Sequence, residues 1–328
     1  MPIRLFFITI LFLSYPCLAV SQSYSQPDEY AANGALGTAM QNGASTQLTG
    51  FEAIRVNPAM LTLERKYEVT GVYHWPRFEK EFFQAGIVDS KTSKIAAGVS
   101  VTRRIDKVTL EKNELNPLSP VKQRVHFGFG QPVGKLAVGF GGQYVEGYAL
   151  DSGDDSEPKM IRGTTLTAGV AALLSPSIRV GFSGQNFTNK QVSHLAPRVL
   201  QAGASLLLGG GNLALNADYI QRRRISGLEV NGSSQYRVFA LKAAPSITEQ
   251  ELPTGDTRTV VGSFTAQVYN AFQIMGAYGS DVTIGQKSIS GGVSVVSGAM
   301  RLVFSATRPD MEIETAHQSV SINIDLNI

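Results

Sequence analysis

The chain has 328 residues, a formal net charge of +3 and only 17% charged residues, well below the roughly 25% of a typical soluble domain. Glycine is abundant, with 33 residues, and cysteine occurs once. Lysine and arginine are scattered and gather on no single element, which argues against nucleic-acid binding. Beyond the N-terminus no run of about 18 apolar residues is present, so no membrane-spanning helix is expected.

The N-terminus reads as an export signal. Arg4 supplies the positive region, Leu5 to Leu13 the apolar run, and Cys17-Leu18-Ala19 a small-residue cleavage site after Ala19. Tyr15 and Pro16 precede Cys17 where lipoprotein processing wants small residues, so ordinary cleavage is expected and residues 1–19 are assigned to the signal. The mature chain is then free of cysteine, which removes disulfides, thiol nucleophiles and thiolate metal sites.

Residues 20–65 are mixed small and polar. They contain Ala31-Ala32-Asn33-Gly34-Ala35-Leu36-Gly37-Thr38-Ala39 and Phe51-Glu52-Ala53-Ile54-Arg55-Val56-Asn57-Pro58-Ala59-Met60-Leu61. The segment is too long for a tail and too weakly amphipathic for an outer helix. A barrel lumen is the place expected for it.

From about residue 66 apolar and polar side chains alternate, the period of a strand with one face in each environment. Fourteen strands are expected, near 66–75, 80–89, 94–105, 122–131, 135–148, 161–174, 178–187, 198–208, 212–224, 258–268, 271–280, 286–296, 299–307 and 316–328. The last is the most regular: from Ser319 to Ile328 every even position is aliphatic and every odd one polar. Short turn signals stand at Pro132-Val133-Gly134, Ser175-Pro176-Ser177, Gly209-Gly210-Gly211, Tyr269-Asn270 and Ser297-Gly298. Longer polar loops separate them, near 106–121, 149–160, 188–197, 225–257 and 308–314. Short turns at one end and long loops at the other are the organisation of outer-membrane barrels, the short turns facing the periplasm. Gln235 to Ala243 also reads as a strand, but an even strand number places it in an external excursion. The expected fold is thus all-β, an antiparallel transmembrane barrel of about 14 strands over residues 66–328 with an N-terminal lumen plug.

No catalytic set emerges, and the chain is not expected to be an enzyme. His74, His126, His194 and His317 are widely spread, lack metal-ligand spacing and are expected to be solvated; no cofactor or metal is expected. Asp151, Asp154, Asp155 and Glu157 do not follow the EF-hand spacing and read as a solvated loop. Arg222-Arg223-Arg224 ends a strand on the outer side, where guanidinium groups pair with lipopolysaccharide phosphates or simply remain solvated. Asn231-Gly232-Ser233 reads as a turn. The expected lumen face is rich in Gly, Ser, Thr, Gln and Asn without a ring of one charge, which disfavours an ion-selective porin.

The small-residue stretch Gly34 to Ala39, the Asn57-Pro58-Ala59 motif with Met60-Leu61 after it, and the strand that follows directly resemble the FadL family of outer-membrane transporters for long-chain fatty acids and other hydrophobic compounds. They also resemble the related PorV-like barrels associated with protein secretion. The FadL resemblance implies a fourteen-stranded barrel with a hatch in its lumen, a hydrophobic small-molecule substrate, a bacterial outer-membrane location in contact with lipid and lipopolysaccharide, and Asn57, Pro58 and Ala59 as the hatch motif. The PorV-like resemblance implies a surface or periplasmic protein partner. The chain departs from the family at Met60, where a glycine is common, and at Ile328, where the closing strand usually ends on an aromatic residue.

Overall fold

The computed structural model describes residues 34–41, 43–74, 82–105, 121–149, 159–188, 192, 195–224, 255–269, 271–283, 287–308 and 317–326. The signal segment, the acidic loop, Asn231-Gly232-Ser233, Gln235–Ala243, His194 and Ile328 lie outside the described residues.

The alternation in the sequence becomes fourteen antiparallel strands: β1 (Tyr67–His74), β2 (Phe82–Asp89), β3 (Ala96–Arg104), β4 (Val121–Val133), β5 (Leu136–Ala149), β6 (Lys159–Ser175), β7 (Ile178–Gln185), β8 (Val199–Leu208), β9 (Leu213–Arg224), β10 (Gly255–Tyr269), β11 (Phe272–Asp281), β12 (Lys287–Ser297), β13 (Met300–Arg308) and β14 (His317–Leu326). Each pairs with its neighbours in sequence, and β1 closes on β14 from Tyr67↔Leu326 to His74↔Ser319. Closure leaves no edge strand, which is the condition for crossing a bilayer with strands; Lys159–Thr167 of β6 extend beyond the register with β7, which begins at Ala168↔Gly184.

The hairpins follow the turn signals. Val133 pairs Leu136 across Gly134 (φ 64°), and Ser297 pairs Met300 across Gly298 (φ 61°). Both turns need a left-handed residue to match the strand twist, and glycine supplies it without steric cost.

The two faces of the sheet are inverted relative to a soluble protein. Phe83, Phe129, Phe140, Phe182 and Phe304 are exposed on the outer face, whereas Ser183, Gln201, Asp218 and Ser294 are buried on the inner one. An outer wall of exposed aromatics and aliphatics around a polar interior is stable in hydrocarbon, not in water. No helix among the described residues is long and apolar enough to cross a membrane; the crossing is made by strands.

Residues 34–63 lie inside this ring. Their short elements are α1 (Ala35–Ala39), a 3-10 turn at Gly50–Glu52, α2 (Ala53–Val56) and a second 3-10 turn at Pro58–Thr62. They touch β1 to β6 on one side and β11 to β14 on the other, and they reach β8 and β9 by hydrogen bonds. Only a position in the lumen meets strands around the whole circumference.

Candidate functional site

The inner segment is held in two chemically different ways. Its second half, residues 51–63, sits on apolar surface. Phe51, Ile54, Met60 and Leu61 pack with Val72, Val88, Ala96, Ala137 and Ala171 from the strands. Met60 is fully buried here, so the residue that departs from the family pattern is one of the side chains filling this contact.

Asn57-Pro58-Ala59 forms the closest approach to the wall. Asn57 is extended (φ −154°, ψ 99°) and its Oδ1 accepts from the Ala59 amide at 3.2 Å, capping the second 3-10 turn. Pro58 follows at the first position of that turn, where its missing N–H costs nothing. The Asn57 Nδ2 donates to the Val170 carbonyl of β6 at 3.3 Å. The wall is carved out to admit this turn. A Cβ on Gly130 would stand 2.7 Å from Pro58 O, one on Gly139 2.7 Å from Ala59 Cα, and one on Gly169 3.0 Å from Asn57 Cγ. These three glycines are registered neighbours, Gly130↔Gly139 and Gly139↔Gly169, on β4, β5 and β6. A second registered row, Gly98↔Gly128↔Gly141, lies beside it. Glycine inside a strand commonly marks close backbone approach, and here the first row forms a cradle for the motif while Gly98 and Gly128 of the second face Ile54 and Leu61.

The first half, residues 34–48, adds polar contacts to an apolar one, in which Ala35, Ala39, Met40, Ala44 and Leu48 pack with Met275 and Val303 of the wall. Asp218 of β9 accepts from Ala44 N (2.5 Å), Ser45 N (3.1 Å), Ser45 Oγ (2.5 Å) and Gln201 Nε2 (3.1 Å). Thr46 bonds Ser205, which donates to Asn216 Oδ1, and Asn216 Nδ2 donates to Gln47 Oε1 at 2.7 Å. On the far side Ser290 Oγ donates to Ala39 O (2.6 Å) and Thr307 Oγ1 to Thr38 O (2.8 Å).

Glu52 joins the two halves. Its carboxylate accepts from Gly34 N at 3.0 Å and Leu36 N at 3.1 Å, fixing the start of α1. Burial pushes its pKa up to about 7; the backbone amides of Gly37 and Gly34 partly offset this and the nearby Glu68 adds to it. At the short-turn end Lys66 bridges Glu64 (3.0 Å) and Glu68 (2.7 Å). Burial alone would favour its neutral amine, but the two carboxylates outweigh burial and hold Lys66 well above the ordinary lysine range.

Toward the long-loop end, α2 leaves a polar cavity of about 40 Å³ whose lining includes Arg55, Arg124, His126, Gln143, Gln201 and Arg222. It has room for a few waters and falls far short of the ~300 Å³ of a small-molecule pocket. Part of the 188–197 stretch covers it. Val192, Leu195 and Ala196 are buried against Val121 and Val145, and Arg124 Nη2 donates to Leu195 O at 2.8 Å.

Several sequence expectations change here. The 188–197 stretch is not a solvated loop throughout, because its apolar residues fold into the mouth of the barrel. His74 and His126 do face the lumen, but the inner segment buries them and they are not solvated. Arg222 shares the inward face of β9 with the buried Ile220 and lines the cavity, so it points away from any surrounding lipid; the side chains of Arg223 and Arg224 are not described. Asn57, Pro58 and Ala59 are brought together with the glycine rows, Asp218 and Glu52, none of which the sequence reading singled out. A usable signal existed for the glycines: Gly128/Gly130 and Gly139/Gly141 recur at the period of an inward strand face. No group of three His, Cys, Asp or Glu residues with metal-binding geometry occurs among the described residues.

Fold and interior together define a fourteen-stranded membrane β-barrel carrying a chain segment in its lumen. Among solved structures this is the fold of FadL-type outer-membrane transporters. The chain is similar to the Ralstonia pickettii toluene transporter TbuX, with TM-score 0.55, 14% identity and coverage of 90% of this chain and 98% of that one. It is similar to the Pseudomonas putida toluene transporter TodX, with TM-score 0.56, 11% identity and coverage of 89% and 96%. A Pseudomonas aeruginosa FadL homologue aligns with TM-score 0.52, 10% identity and coverage of 90% and 98%. No protein-family profile and no curated protein matches the sequence.

Proposed function

We propose that this chain is a bacterial outer-membrane channel for hydrophobic small molecules, long-chain fatty acids among them, in which residues 20–65 act as a hatch and residues 1–19 are removed on export. The observation that carries the reading is the inner segment seated at Asn57-Pro58-Ala59 on registered glycines inside a closed barrel. The similarity to toluene transporters in fold supports the substrate class.

The contacts indicate which half moves. Residues 51–63 are anchored by apolar burial, and withdrawing them would return several large side chains to water at roughly 1.5–3 kcal/mol each. Residues 34–48 bury fewer large apolar side chains, Met40 and Leu48, and add hydrogen bonds that water can replace, at about 1 kcal/mol for a neutral bond and about 1.5–3 kcal/mol for one to a charged group such as Asp218. The hatch reading therefore places opening on the Asp218 side, where fewer large apolar side chains are withdrawn. The 40 Å³ cavity beside α2 is by itself too small for such a substrate.

Uptake of labelled fatty acid and labelled toluene by cells with and without the gene tests the proposal. Gene-dependent uptake of either is expected. Equal uptake, together with stable co-purification of a partner protein, would replace it with a scaffolding role.

A further inference from the structure

The long-loop end of the barrel carries a surface of a different chemistry on its outer wall. Through the middle of the barrel the outward strand positions are apolar, small or uncharged; charge returns only at the strand ends. At the long-loop end it returns as five exposed cations beside a single described outward acid, Glu146. Arg103 on β3, Arg162 on β6, Arg198 at the entry to β8, Arg258 on β10 and Lys287 on β12 are all exposed at outward positions.

Register places them on one rim. Arg103↔Gln123, Gln123↔Glu146 and Glu146↔Arg162 form a continuous row over four neighbouring strands. Across the barrel, Arg258↔Gln221 and Gln221↔Leu200 form a row one position inside Arg198. Val260↔Ser280 and Ser280↔Lys287 continue it to β12.

The height of the rim is set by β6. Arg162 and the outward Leu174 are twelve residues apart, about 40 Å of strand, or roughly 30 Å along the membrane normal at a tilt of about 40°. That is the thickness of the hydrocarbon layer, so the cations stand at the headgroup level.

At this rim the acid among the described outward positions is Glu146, and it is engaged by Lys122 at 2.9 Å and Gln123 at 3.1 Å. None of the five cations has an ion-pair partner among the described residues. Four of the five are arginine, whose planar fork takes two phosphate oxygens at once. Arg198 is held over the exposed Phe187 ring, 5.9 Å from its centroid, which keeps the guanidinium against the outer wall.

We propose that this rim binds the phosphate groups of a phosphorylated glycolipid in the outer leaflet. Charge complementarity selects that occupant. A phosphate monoester carries up to two negative charges with no attached cation, whereas a zwitterionic phospholipid masks its phosphate. The inference rests on the membrane orientation of the barrel and not on transport, so failed uptake would leave it standing.

The test is native mass spectrometry of the full chain with diphosphoryl lipid A, with its dephosphorylated form and with phosphatidylglycerol. Retention of diphosphoryl lipid A at least tenfold above both others is expected, weakening as salt rises. The variant Arg103→Gln, Arg162→Gln, Arg198→Gln, Arg258→Gln, Lys287→Gln is expected to lose that excess. The paired variant Arg103→Gln, Arg162→Gln, which disturbs one row only, is expected to lose at least threefold and serves if the larger variant does not fold. Equal retention of dephosphorylated lipid A or phosphatidylglycerol, or full retention by the folded variants, overturns the proposal.

Discussion

A single methyl group at Gly139 tests the cradle directly. The added Cβ would stand 2.7 Å from Ala59 Cα and closer still to the Pro58–Ala59 peptide. Ordinary contact there is about 3.5–4.0 Å, so the 58–62 turn must withdraw by about 1.5 Å or the strand must yield. Both sides are backbone, and no flexible side-chain end can give way. Overpacking of this kind costs typically 1–3 kcal/mol, which shifts the seated-to-unseated equilibrium by roughly 5- to 150-fold. Gly262→Ala is the matched control: the same change in a strand, at an outward position with nothing within 4 Å. Planar-bilayer conductance of the purified barrel should show at least fivefold more open events for Gly139→Ala than for Gly262→Ala. Deleting residues 34–63 in both backgrounds should erase the difference. If the two glycine variants conduct and melt alike, the cradle does not position the motif.

Three further outcomes are expected. Asn57→Ala removes the cap of the Pro58–Thr62 turn and the bond to Val170, so about 1–2 kcal/mol of seating should be lost, read as faster hydrogen exchange at Ala59 and Met60. Asp218→Asn replaces one accepting oxygen by an amide NH2 donor facing the donors on Ala44 and Ser45; protease access to residues 41–48 should rise at least tenfold, with barrel heat-modifiability unchanged. Glu52 has a folded pKa of about 7 against an ordinary 4.5, so its docked form binds the extra proton between those values. Its stabilising contribution is present below pH 4.5 and is lost as pH rises through 7, on the order of 3 kcal/mol in all. Exchange protection of residues 34–40 should therefore fall over that window, and Glu52→Gln should flatten the profile.

The strands were almost fully legible because a lipid-facing wall imposes period two over every crossing. From Leu213 to Ile220 each outward residue is apolar, small or aromatic, and Asn216 and Asp218 face in. Strand ends agreed to within about three residues, since turns such as Gly134 and Gly298 announce themselves. The lumen contacts were less legible. Asp218 looks in sequence like any inward polar residue, and only the fold brings Ala44 and Ser45 to it across more than 170 residues. His126 was misjudged for the same reason: an inward position is wet or dry according to what fills the lumen. Arg222 shares the inward face with Asp218 and Ile220, and alternation along β9 already puts it on the lumen side.

The order of the chain gives the inner segment a kinetic character of its own. The segment precedes every strand, and the circle is completed only when β14 meets β1. Its seat on β1 to β6 links residues up to 113 positions apart, as in Asn57 to Val170. Its other attachments to the wall span greater separations, 174 positions to Asp218 and 269 to Thr307. Loop-closure entropy favours the nearer contacts first. Residues 51–63 can thus settle on a half-built wall, and the later strands wrap an occupant already aboard. The segment is enclosed, not threaded, and its contacts with β9 and β13 are among those acquired last.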